Sequence, residues 1–371
     1  MQGKVSGAAL VMVAVIAATA GPQARTSGAS GAVYTATNGV NGNSVLVFDR
    51  TADGGLTYVN AFATGGHGSG NGLGNQGGIA LTPDGKFVLV VNAGSNDVSV
   101  LQTTDSGLVL ADRRSSGGVR PISVSVSGRL AYVLNNGSFA GGTDTVVGFR
   151  LSRDGVLTQI PGSTRGLSAT AVGPAEVALS PDGTTLVVTE KATNRLDVFE
   201  VGDDGRLGAA NVFASSGTTP FGFAFGKRDQ FFVSEAFGGA ANASAISSYQ
   251  VSGVAAISLI SPSVPTTETA ACWVAVTPDG RYLYTTNAGS GTVTGYSIRS
   301  DGAIALLDSD GVTAVTGGGV TDVTLTNNGR YLYALRSGAG AIALFRVEEH
   351  GGLTSLGTVS LPAGANGIAA R

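Results

Sequence analysis

The sequence predicts an all-β protein: a seven-bladed β-propeller, four antiparallel strands per blade, with the first blade closed by the C-terminal strand. Three observations carry this expectation. A unit of four short strands and tight turns recurs along the chain, its turn glycines recur at blade-like intervals, and the two chain ends are complementary fragments of one unit.

The clearest copy runs from Ala275 to Leu307. Ala275–Thr277 ends a short apolar strand, and Pro278-Asp279-Gly280 is a turn in which Pro fixes φ and Gly accepts a positive one. Tyr282–Thr286 alternates aromatic and β-branched residues as a second strand. Thr292–Ile298 and Ala303–Leu307 follow as third and fourth strands, each after a Gly-containing turn. Such a meander cannot cover both of its faces, so it needs neighbours of its own kind. Ala80–Leu101, Ser123–Gly137, Ala178–Phe199 and Thr324–Phe345 repeat the pattern, and Ala224–Phe237 is a worn copy without the turn glycine. With that copy in place, Gly85, Gly128, Gly183, Gly280 and Gly329 fall near the roughly 40–50 residue spacing of propeller blades. Val33–Thr37 and Ser44–Phe48 read as second and third strands with no first strand before them. Asn366–Ala370 reads as a first strand with nothing after it. Joining the two closes the ring without an unpaired edge.

Length alone, 371 residues, suggests two or more domains. The repeats override it, because a propeller is one ring. The 58 glycines show no collagen period and sit mostly in turns. Charged residues make up 13% and the net charge is −3, with no basic stripe for nucleic acid. Residues 1–24 read as a signal peptide: Lys4 in the n-region, an apolar run from Val5 to Ala17, and Ala18-Thr19-Ala20 as a cleavage site. The run falls short of the roughly 20 residues a membrane span needs. Residues 25–31 read as a flexible leader and 32–371 as the propeller. The expectation is a secreted or periplasmic monomer with no membrane span. The single cysteine, Cys272, excludes an internal disulfide.

Aligned on their turns, the blades can be compared with one another. At the first strand one column is apolar throughout (Ile79, Ile122, Val177, Phe223, Val274, Val323, Ile368), and the next is small (Ala80, Ser123, Ala178, Ala224, Ala275, Thr324, Ala369). The column before them is mixed: Gly78, Pro121, Glu176, Gly222, Trp273, Asp322 and Gly367. At the end of the second strand Asn is the default, as in Asn38, Asn92, Asn135 and Asn287, and Glu190, Glu235 and Arg336 depart from it. Alternating strand direction places both columns on one rim of the ring. That rim collects Arg120, Glu176, Glu190, Lys191, Glu235, Glu268, Trp273, Asp322 and Arg336. It also bears the long Gly-rich insertion Thr64–Gln76 with His67. Asp-Gly pairs on the opposite rim lack the spaced carboxylates of a calcium loop and read as hairpin turns.

The TPDG…YLYTTN unit, together with SPDGTTLVVTEKATNRLDVF, TTPFGFAF and TAACWVAVTPDGRYLYTTNAGSG, resembles the lactonase-type seven-bladed propellers, which include 6-phosphogluconolactonase and the carboxymuconate-lactonizing enzyme. The resemblance covers essentially the whole mature chain and is closest to an exported, lactonase-like branch. It implies opening or closure of a lactone ring. Those enzymes carry a His after Pro at the start of an inner strand; here Gly173-Pro174-Ala175-Glu176 has none. The basic clusters expected for a phosphosugar are thin, so a neutral or weakly charged lactone or sugar-like ligand fits better.

Lactone hydrolysis needs an activated water, a stabilised oxyanion and a proton for the leaving alkoxide. Glu176 is the candidate base, with Glu190 and Lys191 as further catalytic candidates and Lys191 or Arg336 as the oxyanion partner. Arg120, Glu235, Trp273, Asp322, Arg336 and His67 are candidate substrate contacts. The alternatives are an ion pair or water-bridged carboxylate at Glu176, an exposed turn pair at Glu190-Lys191, and channel packing at Trp273. A Cys272–His67 pair would join two well-separated blades. No cofactor and no metal ligands are assigned, although rim carboxylates suit a hard divalent cation such as calcium. Two other functions stay open: a non-catalytic binding propeller using the same rim, and a metal-assisted hydrolase.

Overall fold

The computed structural model describes residues 28–371. The expected signal peptide and the first residues of the expected leader lie outside that range. Ser30 already donates its N–H to Arg50 O, and the first strand begins at Gly31, so the ring takes in the end of the leader.

Seven antiparallel sheets form the ring; in six the strands follow chain order from the inside outward, and in the remaining one the C-terminal strand is innermost. The innermost strands are Asn366–Ala370, Ile79–Leu81, Pro121–Ser127, Pro174–Leu179, Pro220–Phe225, Ala271–Val276 and Asp322–Leu325, for blades 1 to 7. Each contacts the next, and the last returns to the first. Blades 3 and 6 break their outermost strand into two short pieces. Blade 1 is closed as expected: Val33 pairs with Ala370, Tyr34 with Ala369 and Thr35 with Ile368.

The turn chemistry follows from the repeats. Gly85, Gly128, Gly183, Gly280 and Gly329 all take positive φ. The worn blade 5 has no glycine at that place, and Arg228 and Asp229 adopt φ of 57° and 58° instead. L-residues rarely accept this conformation, so the local strain is carried by the surrounding sheet. The Gly-containing hairpin turns on the same rim also clasp neighbouring blades. Tyr132, Tyr284 and Tyr333 donate their hydroxyls to Gly205, Gly351 and Gly54 carbonyls at 2.7, 2.8 and 2.9 Å.

The apolar column is buried between blades throughout. The small column lines the axis, where Ala80, Ala275, Thr324 and Ala369 face a common cavity. No helix among the described residues is long and apolar enough to cross a membrane.

Candidate functional site

Each innermost strand pairs on one side only, so its other edge turns unpaired N–H groups toward the axis. Side chains from elsewhere in the ring satisfy them. Phe223 N donates to Glu176 Oε2 at 2.6 Å, and Ile368 N to Asp322 Oδ2 at 3.2 Å. Val177 N donates to Ser123 Oγ at 3.3 Å, and Val274 N to Gln76 Oε1 at 2.9 Å. A bulge between Pro174 and Val177 puts one extra residue into the Glu176 strand and turns that side chain from its ladder toward the axis.

Glu176 and Asp322 both line an axial cavity of about 400 Å³. Burial lifts Glu176 well above the usual carboxylate range; the Phe223 N–H opposes the shift and the Asp322 charge adds to it. Burial lifts Asp322 to about 8, against two backbone N–H groups, Val323 and Ile368, that favour its ionised form. Glu176 Oε1 takes no hydrogen bond from the described residues. The cavity lining contains no Lys or Arg.

The cavity is closed on the rim where the long loops gather. The insertion Thr64–Gln76 does not form a surface arc; its last residues cross the axis. Gln76 Nε2 donates to Val274 O at 2.8 Å while its Oε1 accepts from Val274 N, so one amide bonds the far side of the ring. Asn75 O accepts from Trp273 Nε1 at 2.8 Å, Asn75 Nδ2 donates to Ile122 O, and Asn366 Nδ2 donates to Asn75 Oδ1 at 2.9 Å. Leu73 is buried in the hydrophobic cluster shared by blades 2 to 4.

Most of the rim candidates lie outside the lining of this cavity, several of them against the plug. Lys191 donates to Gly74 O and to Pro174 O at 3.0 Å, with its ammonium 4.8 Å from the Phe221 ring centre. Burial drives it down to about 8, and the positive Arg120 adds to the effect. Arg120 reaches Gly72 O at 3.5 Å and lies 3.7 Å from the centre of the exposed Phe139 ring. Both cations therefore hold the outer face of the plug. Trp273 holds it too, and packs edge-on against Phe221 at 5.3 Å. Arg336 donates to Gly318 O at the surface, and His67 is exposed with Nδ1 3.0 Å from Val40 O. Cys272 is buried, and burial pushes its thiol up to about 12, so no thiolate is available to pair with His67.

Glu190 and Glu235 are fully buried nodes inside their own blades. Glu235 accepts from Gly217 N at 2.7 Å, Ser247 Oγ at 2.6 Å and Ser263 Oγ at 2.6 Å. Asn92 and Asn287 make the same kind of node, donating to hydroxyls on the third strand, Ser99 and Thr294. Blade 4 alone places an acid opposite the acid. Ser168 N donates to both Glu190 Oε1 at 3.0 Å and Asp197 Oδ2 at 2.9 Å, so the two carboxyls crowd one N–H. Burial first, and then Glu190, lift Asp197 to about 8. Its ordinary value is near 3.8, so the stability this group supplies is complete below about pH 4 and lost as pH rises toward about 8. Asp197→Asn removes the second acid of the pair and leaves a neutral side chain of the same shape. The fall in Tm between pH 5 and pH 8 should shrink by at least about 3 °C in that variant. An unchanged fall would show that the pair does not share a proton.

Two groups escaped the sequence reading. Gln76 and Asn75 end a Gly-rich loop whose route across the axis has no signature. The Glu190–Asp197 pair did have one: an acid seven positions on, where sister blades carry Ser99 and Thr294. Among the described residues, no three His, Cys, Asp or Glu side chains come together to hold a metal ion.

Comparison with solved structures agrees with the ring. A candidate 6-phosphogluconolactonase from Bacteroides fragilis aligns with a TM-score of 0.73 and 17% identity, over 94% of this chain and 99% of that one. A periplasmic gluconolactonase from Pseudomonas aeruginosa aligns with a TM-score of 0.71 and 15% identity, over 92% and 98%. At such identities the likeness speaks for the fold. A search of curated proteins gives no match. The family model described as "Lactonase, 7-bladed beta-propeller" matches residues 32–158 and 143–236, more than half of the chain. The chain belongs to this lactonase family of seven-bladed β-propellers.

Proposed function

We propose that the protein is an exported, monomeric lactonase that opens an uncharged sugar-like lactone in the axial cavity. The observation that carries this reading is two buried carboxyls, Glu176 and Asp322, in one cavity without a cation. A phosphate ester would find no charge partner there. The family supports lactone chemistry, and the periplasmic neighbour is in keeping with export.

The roles divide by environment. Asp322 has two backbone N–H donors for its ionised form and Glu176 has one, so Asp322 loses its proton first. Asp322 is then the base that takes a proton from the attacking water, and Glu176 the acid that gives one to the departing ring oxygen. This reverses the expectation that Glu176 is the base. Water adds to the carbonyl carbon, the ring C–O bond breaks, and the products are a free hydroxyl and a carboxylic acid. The acid–base pair ends with its proton moved from Glu176 to Asp322.

A panel of neutral sugar and aromatic lactones, with and without chelator, tests the reading. Chelator-insensitive turnover above the spontaneous rate, with poor turnover of phosphorylated lactones, is the expected result. Chelator-sensitive turnover would point to a metal-assisted hydrolase. Binding without turnover would point to a binding propeller.

A further inference from the structure

Exposure along the innermost strands is graded. At their starts Gln76, Glu176, Asp322 and Asn366 are buried. Midway Ala80 and Thr324 are half-buried while Ala275 and Ala369 are buried, and at the far end Pro83, Pro278 and Asn327 are exposed while still lining the same cavity. The cavity lining therefore meets solvent at the rim of tight turns and is buried beneath the plug.

The plug is tied to many blades at once. Besides its own amide pair on Val274, Gln76 donates its backbone N–H to Ala175 O at 3.2 Å. Its neighbours are held by Trp273, Ile122, Asn366, Lys191 and Arg120. Opening it would break six or more hydrogen bonds together. It is a fixed floor, not a gate.

We infer that the channel is a one-mouthed pocket loaded from the Pro83, Pro278 and Asn327 face, with Gln76 as the residue that ends it. A ligand must then enter with its reacting ring first and leave any substituents trailing toward the mouth. The substrate class is a lactone with a free ring end, and a ring bulky on both flanks is excluded. This selectivity rests on the lactonase reading; the direction of access does not.

The test therefore reads access alone. Ala275→Cys, combined with Cys272→Ala, puts a single thiol on the cavity wall. Its rate of modification by a small methanethiosulfonate is followed in the full-length protein, with Tm as a check on folding. Asn327→Trp, which crowds the mouth, should slow modification at least ~10-fold. Adding Gln76→Ala should restore the rate by opening a second mouth. If Asn327→Trp has no effect and Gln76→Ala alone accelerates modification, access is through the plug face and the inference fails. If the thiol is unreactive in every background, the cavity is closed at both ends and the inference fails as well. The expected pattern without turnover of any lactone would leave the route standing and remove the lactonase reading.

Discussion

Removal of Asn366–Arg371 is expected to lower Tm by about 10 °C or more, or to abolish a cooperative transition. Five of these six residues, Asn366–Ala370, form the innermost strand of blade 1, which is buried along its length. Without them the strand Gly31–Ala36 becomes an open edge, and Thr35 Oγ1 loses its 2.6 Å bond to Gly367 O. Asp322 loses the Ile368 N–H, and the plug loses its Asn366 contact. A ring has no slack to absorb such a gap, because both neighbouring blades pack on the missing strand. Val315→Ser, on an exposed outer strand, is the matched control and should leave Tm unchanged. A truncated protein that melts like the parent would refute the closure as a source of stability.

Glu176→Gln should cost at least ~10²-fold in turnover with little change in Tm. The amide can still accept the Phe223 N–H, so the inter-blade contact survives, but it cannot give up a proton. Asp322→Asn should cost a similar factor by removing the base. Asp322 also affects stability. Its folded value of about 8 stands above the ordinary 3.8, so its contribution is complete below about pH 4 and declines as pH rises toward about 8. Asp203→Asn, in a hairpin turn on the opposite rim, is the silent control for turnover. Full activity in both cavity variants would move the chemistry out of the axial cavity.

The blades were legible because seven copies of one pattern expose their own rules. Turn glycines, alternating second strands and the split first blade each follow from local chemistry that repeats. Glu176 and Asp322 were legible for the same reason, as acids in a column where sister blades carry Gly, Pro or Trp. The same logic misled at Glu190 and Glu235. They replace Asn in the column, but the compensating donors sit in other segments: Ser168 for Glu190, and Gly217 and Ser263 for Glu235. A column comparison cannot see a partner that lies outside the column. The plug was illegible for a related reason. A Gly-rich loop has little intrinsic preference, and its path is fixed by partners such as Ile122, Lys191, Trp273 and Val274, spread over blades 3, 4 and 6.

In the proposed reaction Asp322 and Glu176 act as base and acid on a lactone in the axial cavity. Its most direct test is the pH dependence of kcat/KM for a neutral sugar lactone, corrected for spontaneous hydrolysis, in the parent and in Asp322→Asn. The parent should gain activity as pH rises toward about 8, where Asp322 gives up its proton, and the variant should lose both the rate and that rise. A variant that keeps the parent's profile would contradict the assignment.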